Sequence, residues 1–368
     1  MQQGKGPEET EPIKQTTNKY GKPDHSLKNK EPRERYILPG LAVLLILTVL
    51  ISLAVGRYGI PLHQMWDILH SWITGKENPN NYEAEVVILI IRIPRILLAI
   101  LVGAALSASG AAYQGLFKNP MVSPDLLGVS AGAGVGASIA ILLSSSYLGI
   151  QLMAFAFGLG AVFLVISLST AIGRGNSSLL IMVLAGTVIS ALFASFTSLA
   201  KYLADADSKL PELTFWLMGS FAKSGSYKNV IVLLIIMLAA GLPLFLIRWK
   251  INVLSFGEEE AQAMGVNTKR LRIIIILCST ILTASSVALC GMISWVGLIM
   301  PHIARLLVGP NYRSLLPTAM LGGSVFMLAV DNIARSLIAG EIPIGVLTSM
   351  IGAPIFIYLL FKGRASWV

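Results

Sequence analysis

Ten apolar stretches, each 16 to 27 residues long and nearly free of charge, recur along this chain. They cover residues 37 to 56, 90 to 116, 126 to 143, 152 to 172, 179 to 203, 229 to 248, 272 to 290, 293 to 308, 315 to 335 and 343 to 361. A helix of about 20 residues, rising ~1.5 Å per residue, spans a bilayer's hydrocarbon core. Within that core only a helix or a closed barrel satisfies its own backbone polar groups. Runs of this length therefore predict an all-α polytopic membrane protein of about ten transmembrane helices, with the transmembrane domain over 37–362.

Composition agrees: 55% of the 368 residues are hydrophobic and 13% charged, where a soluble domain would carry about a quarter. Mean hydropathy is +0.73. Residues 1–36 differ, with eight basic and six acidic side chains and little to bury, which predicts a disordered cytoplasmic tail. A second short cytoplasmic end is expected over 363–368. The first apolar run begins too late for a signal peptide. Cys278 and Cys290, both inside an apolar run, give no disulfide framework and no metal site. The net charge of +9 follows topology, and no nucleic-acid motif accompanies it.

Charge sets the orientation. With both termini cytoplasmic, the cytoplasmic loops and ends beyond the tail hold eleven basic and four acidic residues, against nine of each outside. The loop 57–85 carries Trp66, Trp72 and Tyr82, as an interfacial segment on the outer side would. His63 and His70 lack a third ligand, so no metal site is read there.

The stretch 253–309 organises the chain. It opens on a polar segment bounded by Gly257 and Gly265, whose Glu258, Glu259 and Glu260 suit a helix N-terminus. Lys269, Arg270 and Arg272 follow, then an uncharged run from Ile273 to Leu289, which pins the polar segment to the cytoplasmic face. By its residues alone this segment equally suits a plain connector. Its sequence GEEEAQAMGVN, with GMISWVGLIMPHIARLLVGPNYRSLLP beyond it, resembles the FecCD-type permeases of ABC importers for iron-siderophore, haem and vitamin B12. The resemblance covers about residues 37 to 362 and implies a type II importer permease fold. It also implies that Gly257, Glu258, Glu259, Ala261, Met264 and Gly265 lie in the loop, about 253–270, that couples to a partner ATPase.

Further along, Gly103, Ser107 and Ala111 make a small-residue face for close helix packing. The glycine run 128 to 136 is not a phosphate loop, since no Lys-Ser or Lys-Thr follows it, and no Walker A sequence occurs anywhere. The chain is therefore expected to be no enzyme. Helices three to five hold no intramembrane carboxylate, which argues against an ion-coupled secondary transporter. In the fifth helix Thr187, Ser190, Ser195, Thr197 and Ser198 present hydroxyls that either bond back to their own helix or, as the resemblance implies, face a central pathway. A short external helix is predicted from Pro211, with Trp216 and Phe221 at the water interface.

The same resemblance implies the rest of the machine. A second permease, identical or paralogous, shares the pathway. Two ATPase subunits bind ATP and Mg, this chain holding no cofactor. The setting is a bacterial plasma membrane, and the cargo is a metal chelate, first a ferric siderophore, with haem and cobalamin as alternatives. In the vitamin B12 members, positions matching Arg92-x-Pro-Arg95 and the Arg335 of Asp-x-x-Ala-Arg receive acidic residues of an external binding protein. Arg92, Arg95 and Arg335 are accordingly expected to be exposed docking residues, with Pro94 in a helix's first turn.

Overall fold

The computed structural model describes residues 34–56, 58–75, 82–173, 179–338 and 340–363, and among these there is no β-strand. Most of the expected tail lies outside the described residues, as do 364–368. Glu34 already opens α1 (Glu34–Ala54). There follow α2 (Leu62–Thr74), α3 (Tyr82–Leu116), α4 (Val129–Leu142), α5 (Tyr147–Ile172) and α6 (Leu179–Leu203). Then come α7 (Lys209–Met218), α8 (Tyr227–Phe256), α9 (Glu258–Ala263), α10 (Thr268–Cys290), α11 (Val296–Val308), α12 (Tyr312–Ser336) and α13 (Ile344–Gly363). Eight of these are long and apolar enough to cross a membrane, and α4 and α11 are the two shorter apolar helices. Together they account for all ten apolar stretches.

Helices α10, α3 and α12 form the interior. In α10 78% of the most apolar window is buried, against 17% in α1 at the periphery. Small residues let the central backbones touch. A Cβ on Gly110 would lie 1.7 Å from the Gly297 carbonyl oxygen, and one on Gly103 would lie 2.3 Å from that of Gly323. In lipid, where no hydrophobic effect drives helices together, such contact provides the dispersion energy of association. Hydroxyls add specific links: Ser109 Oγ meets Thr283 Oγ1 at 2.8 Å, and Tyr113 Oη meets Thr280 Oγ1 at 3.1 Å, joining α3 to α10.

Two helix boundaries and the placement of Pro94 and Phe221 differ from expectation. The second membrane helix starts at Tyr82 rather than 90, because Ala84 and Ile88 continue its apolar face against Ile60 and Ile68. Its wide π-type turn over Val86–Arg92 lies just ahead of Pro94, so this proline stands mid-helix and not at a free end. Helix α8 runs on past Arg248 and Lys250 to Phe256, since Ile251 and Leu254 remain buried beneath those charges. Phe221 is fully buried rather than interfacial. It packs with Leu98 and Val296 where the segment after α7 folds back over the bundle, and Ser220 N–H donates to the Cys290 carbonyl at 2.8 Å.

Candidate coupling and docking sites

The glycine-bounded segment folds as a one-and-a-half-turn helix, α9, projecting between the ends of α8 and α10. Gly257 takes φ +143° and Gly265 φ +80°, and a Cβ on Gly257 would fall 1.8 Å from Glu260 Oε2. Only glycine allows so sharp an exit from α8. Ala261 is fully buried in the core cluster that includes Leu254, Val266 and Leu271, which fixes α9 to both neighbours. Val266 N–H donates to the Ala261 carbonyl at 2.9 Å, and Asn267 Oδ1 accepts from Arg270 N–H at 3.0 Å, capping α10. Arg272 pairs with Glu258. Phe256, Glu259 and Met264 remain exposed, Met264 at 54%. The result is a rigid knob with an acidic and apolar tip.

Two contributors were not legible in the sequence. Asn252 accepts from Tyr312 N–H at 2.8 Å and donates to Asn311 Oδ1 at 2.9 Å, tying α8 to the turn before α12. Arg272 closes over α9 from the next helix. Only a polar residue inside an apolar helix end, in need of a partner, hinted at the first.

At the opposite end of the bundle the three arginines are brought together, but not as exposed forks. Arg92, Arg95 and Arg335 are 3%, 6% and 6% exposed, which corrects the expectation of free docking residues. Arg95 Nη2 donates to Asp331 Oδ1 at 2.7 Å, and its Nη1 to Glu341 Oε1 at 2.8 Å. Arg335 Nη2 donates to Ser52 Oγ at 2.7 Å, and its Nε lies 3.6 Å from Asp331 Oδ2, an ion pair beyond hydrogen-bond reach. Arg92 is held by carbonyls instead, donating to Leu53 O and, at 2.6 Å, to Tyr58 O. The physical reason is desolvation: a guanidinium in an apolar helix end is costly until carboxylates or carbonyls surround it. Three cations meet two anions here, so the network keeps a net positive charge.

Most of the hydroxyls singled out in helix α6 bond back to their own helix. Thr187, Ser195, Thr197 and Ser198 donate to the carbonyls of Leu184, Ala191, Phe193 and Ala194, at 2.8, 3.0, 3.1 and 3.0 Å. Yet Thr187, Ser195 and Ser198 are exposed, on one band with Ala191 and Ala194. Ser190, half-buried, faces Gly128. Beside this band runs a bulky exposed one, Val188, Leu192, Phe196 and Leu199. Among the described residues no cluster of three metal-ligating side chains occurs.

Comparison with known proteins agrees with this architecture. The profile of the FecCD transport family matches residues 44–362. The chain is 43% identical to the molybdate import system permease protein MolB of Haemophilus influenzae, over 89% of this chain and 95% of that one. It is 33% identical to the hemin transport system permease protein HmuU of Yersinia pestis, over 91% and 98%. A solved inward-facing metal-chelate type ABC transporter superposes with TM-score 0.80 at 41% identity, covering 89% of this chain and 99% of that one. The chain belongs to the FecCD transport family and is an ABC importer permease.

Proposed function

We propose that this permease passes a metal chelate, delivered by an external binding protein, through a pathway shared with a second permease and powered by two ATPase subunits. The observation that carries the reading is α9. A short helix locked to two membrane helices by Ala261 and the Arg272–Glu258 pair, yet exposing Phe256, Glu259 and Met264, can transmit a push from a partner into the bundle. Gly257, Glu258, Glu259, Ala261, Met264 and Gly265 are assigned to that coupling. The charge count supports a cytoplasmic α9 with both termini on that side, and the family resemblance supports a bacterial plasma membrane. Arg92, Arg95 and Arg335 then lie at the outer mouth. Their surplus positive charge, rather than a free fork, is the attraction for acidic residues of the binding protein.

Thr187, Ser190, Ser195, Thr197 and Ser198 are assigned to the pathway wall. Bonded back to their own helix, the hydroxyls of Thr187, Ser195, Thr197 and Ser198 keep oxygen lone pairs but offer no free donor, a surface polar enough to wet and too weak to trap a cargo. A ferric siderophore is the first cargo to test, with haem and cobalamin as alternatives. Molybdate is a second reading, favoured by the 43% identity to a molybdate permease.

The test is reconstitution of the chain in proteoliposomes with its genomically adjacent ATPase and binding protein. Uptake of labelled ferric siderophore that requires ATP supports the reading. ATP-dependent uptake of molybdate alone selects the second cargo. Uptake driven by an ion gradient without ATP refutes both.

A further inference from the structure

A groove of about 480 Å³ runs down the side of the bundle between α5 and α8, with α10 as its floor. It begins at the end that holds Arg95, since Gly225, just ahead of α8, packs against the Arg95 side chain, and Tyr147 Oη lies 3.4 Å from Ser224 Oγ. Leu148, Leu152 and Val232 on its walls are exposed, so the groove opens on the apolar outer face of the bundle. Tyr147 to Phe155 on one wall and Lys228 to Ile236 on the other each span nine residues, about 12 Å of helical rise, most of a leaflet's ~15 Å of hydrocarbon.

Polarity falls along that depth. Lys223 and Lys228, both exposed, stand at the rim, and among the described residues neither has an ion-pair partner. One turn below Tyr147 comes Gln151, 9% exposed, whose Nε2 has no hydrogen-bond acceptor. Neither polar neighbour accepts from it, and both donate elsewhere: Asn229 Nδ2 to Ser224 O at 2.9 Å and Ser285 Oγ to Ile281 O at 2.6 Å. Below Gln151 the lining is Leu152, Phe155, Val232 and Ile236. A buried amide donor left open at the depth of a lipid's glycerol backbone, under two unpaired cations and above an apolar channel, is matched by one class of ligand.

We propose that this groove is a specific site for an anionic phospholipid of the phosphatidylglycerol type. Its phosphate lies between the Lys223 and Lys228 ammonium groups, an ester carbonyl accepts from Gln151 Nε2, and an acyl chain lies along Leu152, Phe155, Val232 and Ile236. A free phosphate would leave the apolar walls without a partner. A zwitterionic lipid would bring a cation to a rim that already has two. The assignment rests only on the membrane placement of α5 and α8, and is independent of the cargo.

Native mass spectrometry of the full chain, released from mild detergent after equilibration with equimolar phosphatidylglycerol and phosphatidylethanolamine, tests it. Wild type is expected to retain the anionic lipid about tenfold better, from two lysines near the headgroup. K223Q/K228Q is expected to abolish that preference, and Q151L to weaken retention of both lipids without changing their ratio. K209Q, a lysine on α7 outside the groove, serves as the control for diffuse charge, and circular dichroism checks that each variant is folded. Equal retention of the two lipids by wild type overturns the proposal. So does a preference that survives K223Q/K228Q, or that K209Q erodes equally. Unchanged lipid retention by Q151L, or displacement of the lipid by inorganic phosphate, overturns the seating described.

Discussion

Removing the Asp331 carboxylate tests how the Arg95 end of the bundle is held. Asp331 is fully buried and takes two donors from Arg95, Nη2 at 2.7 Å and Nε at 3.0 Å on the same oxygen, with Arg335 Nε 3.6 Å from the other. At an effective dielectric of ~20, unit charges at these distances attract by roughly 5–6 kcal/mol each, much of which offsets the cost of desolvating the groups. Asp331→Asn preserves shape but leaves Arg335 without a carboxylate, while Arg95 keeps Glu341. Breaking one partner out of a buried ion network costs about 3–5 kcal/mol. Thermal unfolding in detergent, followed by the loss of the monodisperse chromatographic peak, should shift down by about 10 °C. The double variant Asp331→Leu/Arg335→Met removes one charge of each sign and leaves Arg95 paired with Glu341. It is expected to recover to within ~1–2 kcal/mol of wild type, because an apolar pair of similar size replaces an ion pair at little net cost. A loss below ~2 °C for Asp331→Asn, or a double variant less stable than the single, would refute this account.

Other variants follow from the same geometry. Gly110→Ala places a methyl 1.7 Å from the Gly297 carbonyl and should cost ~3 kcal/mol or more, read as lost monodisperse yield, whereas Gly160→Ala, with open space at its Cβ, should be neutral. Glu258→Lys with Glu259→Lys removes the Arg272 pair and reverses the tip of α9, so ATP turnover in the reconstituted complex is expected to continue while uptake falls. A normal ratio of uptake to ATP hydrolysis would reject the coupling role. Ser195→Leu with Ser198→Leu fills the exposed hydroxyl band and should slow uptake of a bulky chelate without altering the fold, checked by transport against circular dichroism. Arginine substitutions would destabilise the buried network before they reported on docking. The partly exposed Glu341 is the better probe. Glu341→Gln raises the network's net charge and should speed capture of an acidic binding protein at low salt, an effect that disappears at high salt.

The ten apolar runs, the glycine-bounded acidic segment and the small-residue face of α3 were all legible in the chain. Each depends on neighbours within a few turns: helix length against bilayer thickness, left-handed φ at glycine, and i, i+4 spacing. What escaped depends on distant partners. Whether Arg95 faces water or a carboxylate was decided by Asp331, 236 residues away, and by Glu341, 246 away. Hydropathy places an arginine at an interface but says nothing of what meets it there. The start of α3 and the end of α8 were misplaced for a related reason: Glu83, Glu85, Arg248 and Lys250 lower the local hydropathy, while Ile88, Ile251 and Leu254 on the opposite faces remain buried. Phe221 shows the same limit, for an aromatic beside a polar loop suits an interface until a fold closes over it. The sequence by itself determined the helices, their lipid setting and the special backbone of α9. Only the tertiary structure decided which charges are paired and which polar atoms, such as Gln151 Nε2, are left open. Helix formation in lipid is a local requirement, whereas the partners of a buried polar group are set by where separate helices come to rest.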